Sequence, residues 1–144
     1  MCIRDRSTLV IDIVERVPVL AIQAGASYDE VDQAGVTVVT TTKRPKGMPV
    51  GTGLTVSADD TSFRAVTTML AASPTTITKR IESVTAGSAD DITLTLRGGG
   101  TTVVWGNAAD STLKARILDD MLTAKRSKNA SYYDVSSTES PVYR

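Results

Sequence analysis

The apolar pattern predicts an α+β chain with mostly antiparallel pairing, in the order strand, hairpin, linker, helix, three strands, helix, strand. Two periodicities and one break carry this reading. Ile92, Leu94 and Leu96 alternate with threonines, the period of a sheet with one dry face. Phe63, Val66 and Leu70 recur at spacings of three and four, the period of a helix with one buried stripe. Between residues 40 and 53 (TTTKRPKGMPVGTG) apolar periodicity stops, and two prolines and three glycines appear.

Taken in order, residues 8–22 read as extended, because Leu9, Ile11 and Ile13 alternate with Val10, Asp12 and Val14. Pro18 has no N–H to donate, so the strand must bend, bulge or lie at an edge there. Tyr28 to Val39 reads as a hairpin turning at Gln33-Ala34-Gly35, with Gly35 supplying a positive φ. Beyond the break, Ser57 and Asp60 form an approximate capping box for a helix that Pro74 ends. Strands are expected over roughly 77–85, 91–97 and 101–105, the last two joined by Gly98-Gly99-Gly100. Asp110 is expected to cap a second helix whose buried stripe is Leu113, Ile117, Met121 and Leu122, with Lys125 and Arg126 in its last turn. Tyr132 to Val135 reads as a final strand, and Ser137 to Arg144 as a polar segment able to return beside it. Met1 to Arg6 has no cap, periodicity or turn chemistry and resembles a translated sequencing-adapter stub, so it is set aside.

Composition excludes several function classes. Sixteen basic residues balance sixteen acidic ones, which argues against a nucleic-acid partner; Lys43, Arg44 and Lys46, split by Pro45, read as a solvated linker. The chain has no histidine and one cysteine, Cys2, so it lacks an internal disulfide, a Cys/His metal set and the usual neutral-pH acid–base. No run of about 18 apolar residues marks a membrane helix. The pairs Asp59-Asp60, Asp90-Asp91 and Asp119-Asp120 are neighbours in sequence, so their side chains diverge on a helix or strand, and caps and turns favour aspartate. Ser111-Thr112-Leu113-Lys114 matches S-x-x-K, but the companion motifs of that chemistry are missing and Lys114 is expected on the wet side of its helix. The triple glycine precedes a strand instead of a helix, so it is a turn and not a phosphate loop. Trp105 is expected in the core. Neither a cofactor nor a metal is expected, and no catalytic residue is assigned.

Several segments in one order resemble the FtsQ/DivIB family of bacterial cell-division proteins. Thr8 to Val19, containing Glu15-Arg16-Val17-Pro18, resembles the strand that closes the family's POTRA module. Val31-Asp32-Gln33-Ala34-Gly35-Val36 resembles the hairpin that follows, and Gly47-Met48-Pro49 the join to a second, β domain. Asp91 to Gly106 resembles that domain's glycine-turn hairpin. Lys114 with Ile117, Leu118 and Met121 resembles the lysine-bearing helix after it, and Tyr133-Asp134-Val135-Ser136 a strand near the family's C-terminus. The threonine-rich, short C-terminal form resembles actinobacterial members.

The resemblance implies a partial POTRA module over 7–42 and a mostly antiparallel β domain with two packed helices over 47–144. It implies a non-enzymatic scaffold that recruits divisome membrane proteins, the FtsB/FtsL pair, on the outer side of the plasma membrane at the division septum. The parent would carry a single membrane span upstream. Carried over by position, the partner contact falls on Tyr132, Tyr133, Asp134, Val135 and Ser136 and on Glu139, Ser140, Pro141, Val142 and Tyr143. A terminal strand with an open edge invites β-augmentation, and tyrosines suit interfaces, although one of Tyr132 and Tyr133 should point into the core. The alternative is a POTRA-type module of a secretion or outer-membrane assembly protein, which should show repeated units; the sequence has no internal repeat.

Overall fold

The computed structural model describes residues 8–144; the expectation for residues 1–6 lies outside them, as does Cys2. Nine strands form one mixed sheet in the order β3-β2-β1-β4-β5-β6-β7-β8-β9. Their ranges are β1 Leu20–Ala24, β2 Ser27–Val31, β3 Thr37–Thr41, β4 Val50–Thr52, β5 Ile81–Ala86, β6 Ile92–Leu96, β7 Thr102–Gly106, β8 Tyr132–Asp134 and β9 Val142–Tyr143. The helices are α1 Thr61–Ala72, the single turn α2 Thr75–Thr78, and α3 Ser111–Thr123. The α+β class holds. Pairing is antiparallel except at β1–β4, β4–β5 and β7–β8.

The first strand begins later than the alternation suggested. Residues 8–18 form no ladder, and Leu9, Val10, Ile11, Ile13 and Val14 are exposed. Alternation specifies a strand only where a neighbour supplies hydrogen bonds. The ladder starts just past Pro18, where the Val19 N–H donates to Val31 O at 2.9 Å. The turn at Gly35 is as expected, with φ 81°, and Asp32 organises it by accepting from the Ala34 and Val36 N–H groups. β1 also pairs with β2, making a three-strand meander.

The run 40–53 holds more than a linker. Val50–Thr52 is a short strand parallel to both β1 and β5, joining β1–β3 to β5–β9. Gly51 permits this: a β-carbon there would stand 2.7 Å from the Ile22 Cδ1 and 2.9 Å from a Leu54 methyl. Arg44, expected in a solvated cluster, reaches the Glu82 carbonyl at 2.8 Å.

The first helix starts one turn from the expected box. Asp60 is its N-cap, accepting from the Phe63 N–H at 2.8 Å, while the Ser57 hydroxyl accepts from Asp59 N–H inside the preceding loop. Phe63, Val66 and Leu70 are buried, joined by Met69. They pack with Ala115 and Leu118 of α3 and with Leu20, Val31, Ile81, Val84, Leu94, Val103, Trp105 and Tyr133 of the sheet in one core.

The second helix turns a different face inward than expected. Ser111, Lys114, Ala115 and Leu118 are buried, Ile117, Met121 and Leu122 flank them, and Leu113 is 47% exposed. Its N-cap Asp110 has φ 54° and makes no side-chain cap bond. Lys125 and Arg126 lie past the C-cap Ala124, outside the last turn.

Candidate functional site

Antiparallel alternation and the chain's return make the C-terminal edge. β7 leads into α3, which carries the chain back so that β8 enters parallel to β7, with Val103 opposite Tyr133. Segment 135–141 then reverses, and β9 runs antiparallel to β8, pairing Tyr143 with Tyr133 and Val142 with Asp134. The return of the terminal segment is as expected. It moves the open edge from β8 to β9.

Register decides which groups β9 offers. Tyr132 N–H donates to Arg144 O at 3.2 Å, and Arg144 N–H to Tyr132 O at 2.9 Å, so these two form a hydrogen-bonded pair. Antiparallel pairs alternate, so Asp134–Val142 is the next bonded pair and Tyr143 lies between them. The Tyr143 N–H and C=O therefore point away from the sheet, together with the C=O of Pro141, which has no N–H. A partner strand meets two acceptors and one donor.

The named side chains divide by face. Tyr133 is fully buried and its hydroxyl donates to Ser127 O, so it is a core residue and cannot anchor a partner. Burial pushes its phenol pKa up. Val135 is also fully buried, its N–H bonded to Val104 O. Both burials correct the expectation of partner contact at these positions, because strand alternation sends them under α3. Tyr132 and Asp134 are half-buried on the opposite face, where the Arg144 guanidinium lies 5.2 Å from the Tyr132 ring centre. Asp134 accepts from the Ser136 N–H and hydroxyl and closes the turn out of β8. Val142 is 47% exposed and Tyr143 43% exposed. Glu139, Ser140 and Pro141 are exposed in the approach to β9. The structure thus brings Tyr132, Val142 and Tyr143 to one rim and removes Tyr133 and Val135 from it.

Lys114, expected on the wet side of its helix, and Ser111 instead brace the turn that leads from β7 into α3. Lys114 is 2% exposed, not on the wet side: its ammonium donates to Trp105 O at 3.2 Å, Asn107 O at 3.0 Å and Asn107 Oδ1 at 3.1 Å. Burial lowers its pKa, against a smaller opposing pull from Asp110. All three ammonium donors have acceptors, so Lys114 is not set up to activate Ser111. The Ser111 hydroxyl donates to Ala108 O at 2.7 Å and accepts from Trp105 Nε1 at 3.2 Å. Together these bonds fasten the β7–α3 turn. Gly106 in that turn, at φ 78°, lies against Ser136 so closely that a β-carbon would sit 3.0 Å from the Ser136 Cβ. The signal for Lys114 was in the sequence: Ser111, Ala115 and Leu118 share its face at helical spacing.

Asp60 is a cap, and Asp90 and Asp91 donate their N–H groups to Ser88 in the β5–β6 turn. Among the described residues, no cluster of acidic, histidine or cysteine side chains is arranged to hold a metal ion. No helix among them is long and apolar enough to cross a membrane.

The description "Cell division protein FtsQ/DivIB, C-terminal" matches residues 21–136. The cell division protein FtsQ of Streptomyces collinus is 34% identical over 142 residues, covering 90% of this chain and 52% of that protein. FtsQ of Streptomyces coelicolor is 32% identical with the same coverage, and FtsQ of Mycobacteroides abscessus 31% identical, covering 96% of this chain and 43% of the relative. The chain thus spans about half the length of the curated relatives it matches. In fold it is similar to the major extracytoplasmic domain of the cell division protein DivIB from Geobacillus stearothermophilus, with a TM-score of 0.55 at 15% identity over 74% of this chain and 87% of that one. A match across most of the chain, with actinobacterial relatives of the same name throughout its length, leads to one conclusion: the chain belongs to the FtsQ/DivIB family of bacterial cell-division proteins.

Proposed function

We propose that this chain is a non-enzymatic scaffold of the division machinery that recruits partner proteins of the FtsB/FtsL type outside the cytoplasm, by strand addition to β9. The observation that carries the reading is the open outer edge of β9, with the Tyr143 N–H and C=O and the Pro141 C=O directed outward. Exposed Val142 and Tyr143 give an added strand one apolar anchor on each face of the sheet. Pro141, which lacks a donor, limits pairing between two copies of this edge. In this reading Ser111 and Lys114 are structural, which the saturation of their donors supports.

The same proposal places residues 7–42 as the closing part of a POTRA module and 47–144 as the β domain, in a parent anchored in the plasma membrane and acting at the septum. Membership of the division family favours this over a secretion or outer-membrane assembly module. Deleting β9 by ending the parent protein after Ser137 should abolish capture of FtsB/FtsL while the remaining sheet stays folded by circular dichroism. Undiminished capture by that folded variant would refute the assignment.

A further inference from the structure

The zero net charge conceals a division of charge between the two ends of the sheet. Strands β4, β5, β7 and β8 all run one way, so the chain visits one end before each of the last three and the other end after each of the four. At the entry end, segments 73–80, 97–101 and 124–131 carry Lys79 and Arg80, then Arg97, then Lys125, Arg126 and Lys128, and no acidic residue; Arg144 closes β9 there. At the exit end, segments 53–60, 87–91, 107–110 and 135–141 carry Asp59, Asp60, Asp90, Asp91, Asp110 and Glu139, and no basic residue. Asp119 and Asp120 stand on α3 itself, on neither set of turns; β1 runs the same way, and the segment before it carries Asp12 and Glu15 as well as Arg16, which holds Asp32 at that end.

The entry-end cations surround a cavity of about 320 Å³ with Lys79, Arg80, Arg97 and Lys128 in its wall, Leu122 and Tyr133 among its apolar residues, and no carboxylate among the described residues. The wall is braced. Arg97 Nε donates to Lys79 O at 3.0 Å, its Nη2 to Met48 O at 2.9 Å, and its backbone N–H to Arg80 O at 2.8 Å. Two of its five guanidinium donors are thereby used among the described residues. Tyr133 bonds Ser127 O, which fixes the backbone next to Lys128. The Arg97 guanidinium, already held in place, loses little order when an anion enters.

We propose that this cavity is a binding site for a phosphate-bearing ligand, either a soluble phosphate or the phosphate of an anionic lipid headgroup. Guanidinium forks and lysine ammoniums match phosphate oxygens, and among the described residues no carboxylate in the wall offsets their charge. This site is separate from the β9 edge and does not depend on the partner proposed for it.

The test titrates the whole chain, at low ionic strength, with inorganic pyrophosphate and separately with phosphatidylglycerol vesicles, using phosphatidylcholine vesicles as a blank. Arg80→Glu/Lys128→Glu should weaken binding at least about tenfold, whereas Arg64→Glu on α1 should leave it unchanged, with both variants folded by circular dichroism. Pyrophosphate binding lost in the double variant assigns a discrete soluble phosphate; binding confined to phosphatidylglycerol and lost in the double variant assigns the headgroup. Failure of both probes to bind, or equal losses in the double variant and Arg64→Glu, would overturn the proposal. So would salt-sensitive self-association abolished by the double variant, because the acidic end of a second copy would then be the occupant.

Discussion

Replacing Lys114 by methionine separates a buried structural lysine from a surface one. Methionine keeps most of the stem's volume and removes the ammonium, with its three bonds to Trp105 O, Asn107 O and Asn107 Oδ1. Asn107 is exposed, so water can satisfy its two oxygens. The carbonyl of fully buried Trp105 loses this donor, and an unsatisfied buried acceptor costs about 1–3 kcal/mol. The desolvation of a buried ammonium, several kcal/mol in general, is relieved at the same time and offsets part of the bonds lost. The net expectation is a smaller loss, about 1 kcal/mol, or roughly 3 °C in Tm for a chain of this size. Lys114→Ala should lose about 2 kcal/mol more through missing methylenes. Urea denaturation and thermal melts measure both.

The lysine's titration adds a second readout. Its folded pKa lies below the ordinary value of 10.5, so the unfolded chain holds that proton more tightly. Between the folded value and 10.5, stability therefore rises with pH in the wild type, and this contribution should be missing from Lys114→Met. The raised pKa of Tyr133 acts oppositely above about 10 and is common to both proteins, so the difference between them isolates the lysine. A Lys114→Met protein as stable as wild type, with the same pH dependence, would refute the structural role.

Three further outcomes follow from named contacts. Asp60→Ala should cost about 1 kcal/mol by removing the α1 cap, and Ser57→Ala clearly less, compared by urea midpoint. Gly106→Ala should cost about 1–2 kcal/mol for its left-handed backbone alone, and more from contact with Ser136; faster hydrogen exchange at Val135 would mark the disturbance reaching β8. The Val36 N–H, Arg16 and the Ala34 N–H lower the Asp32 pKa against the opposing effect of burial. Its contribution is thus present above the ordinary carboxylate range near 3.8 and lost as pH falls through the folded value, so Asp32→Asn should be less stable at neutral pH and show a flatter acid limb.

What the sequence made legible was what local periodicity determines. Phe63, Val66 and Leu70 marked α1, and Ile92, Leu94 and Leu96 marked β6, because each spacing admits one geometry against one core. Pairing partners were less legible. Residues 8–18 have strand chemistry without a neighbouring strand, whereas Val50–Thr52 looks like a loop and becomes a strand because β1 and β5 flank it. The family resemblance was readable from motif order. The candidate edge was readable in part: the return of the terminal segment was visible in its position, but which tyrosine would face inward depended on the register of β8 against β7, which no local pattern contains. The charge of Lys114 points to solvent, whereas the small residues beside it on the helix face, Ser111 and Ala115, admit a buried stem.

The most direct measurement of the central proposal compares Tyr143→Ala and Tyr143→Pro in titrations with the extracytoplasmic FtsB/FtsL pair, each variant verified as folded. Tyr143→Ala keeps the outward N–H and removes the ring; loss of a buried interface tyrosine of about 2 kcal/mol corresponds to roughly thirtyfold weaker binding. Tyr143→Pro also removes the outward donor without touching the bonds to β8, so strand addition at β9 predicts still weaker binding than Tyr143→Ala. Wild-type affinity in both folded variants would contradict recruitment through this edge.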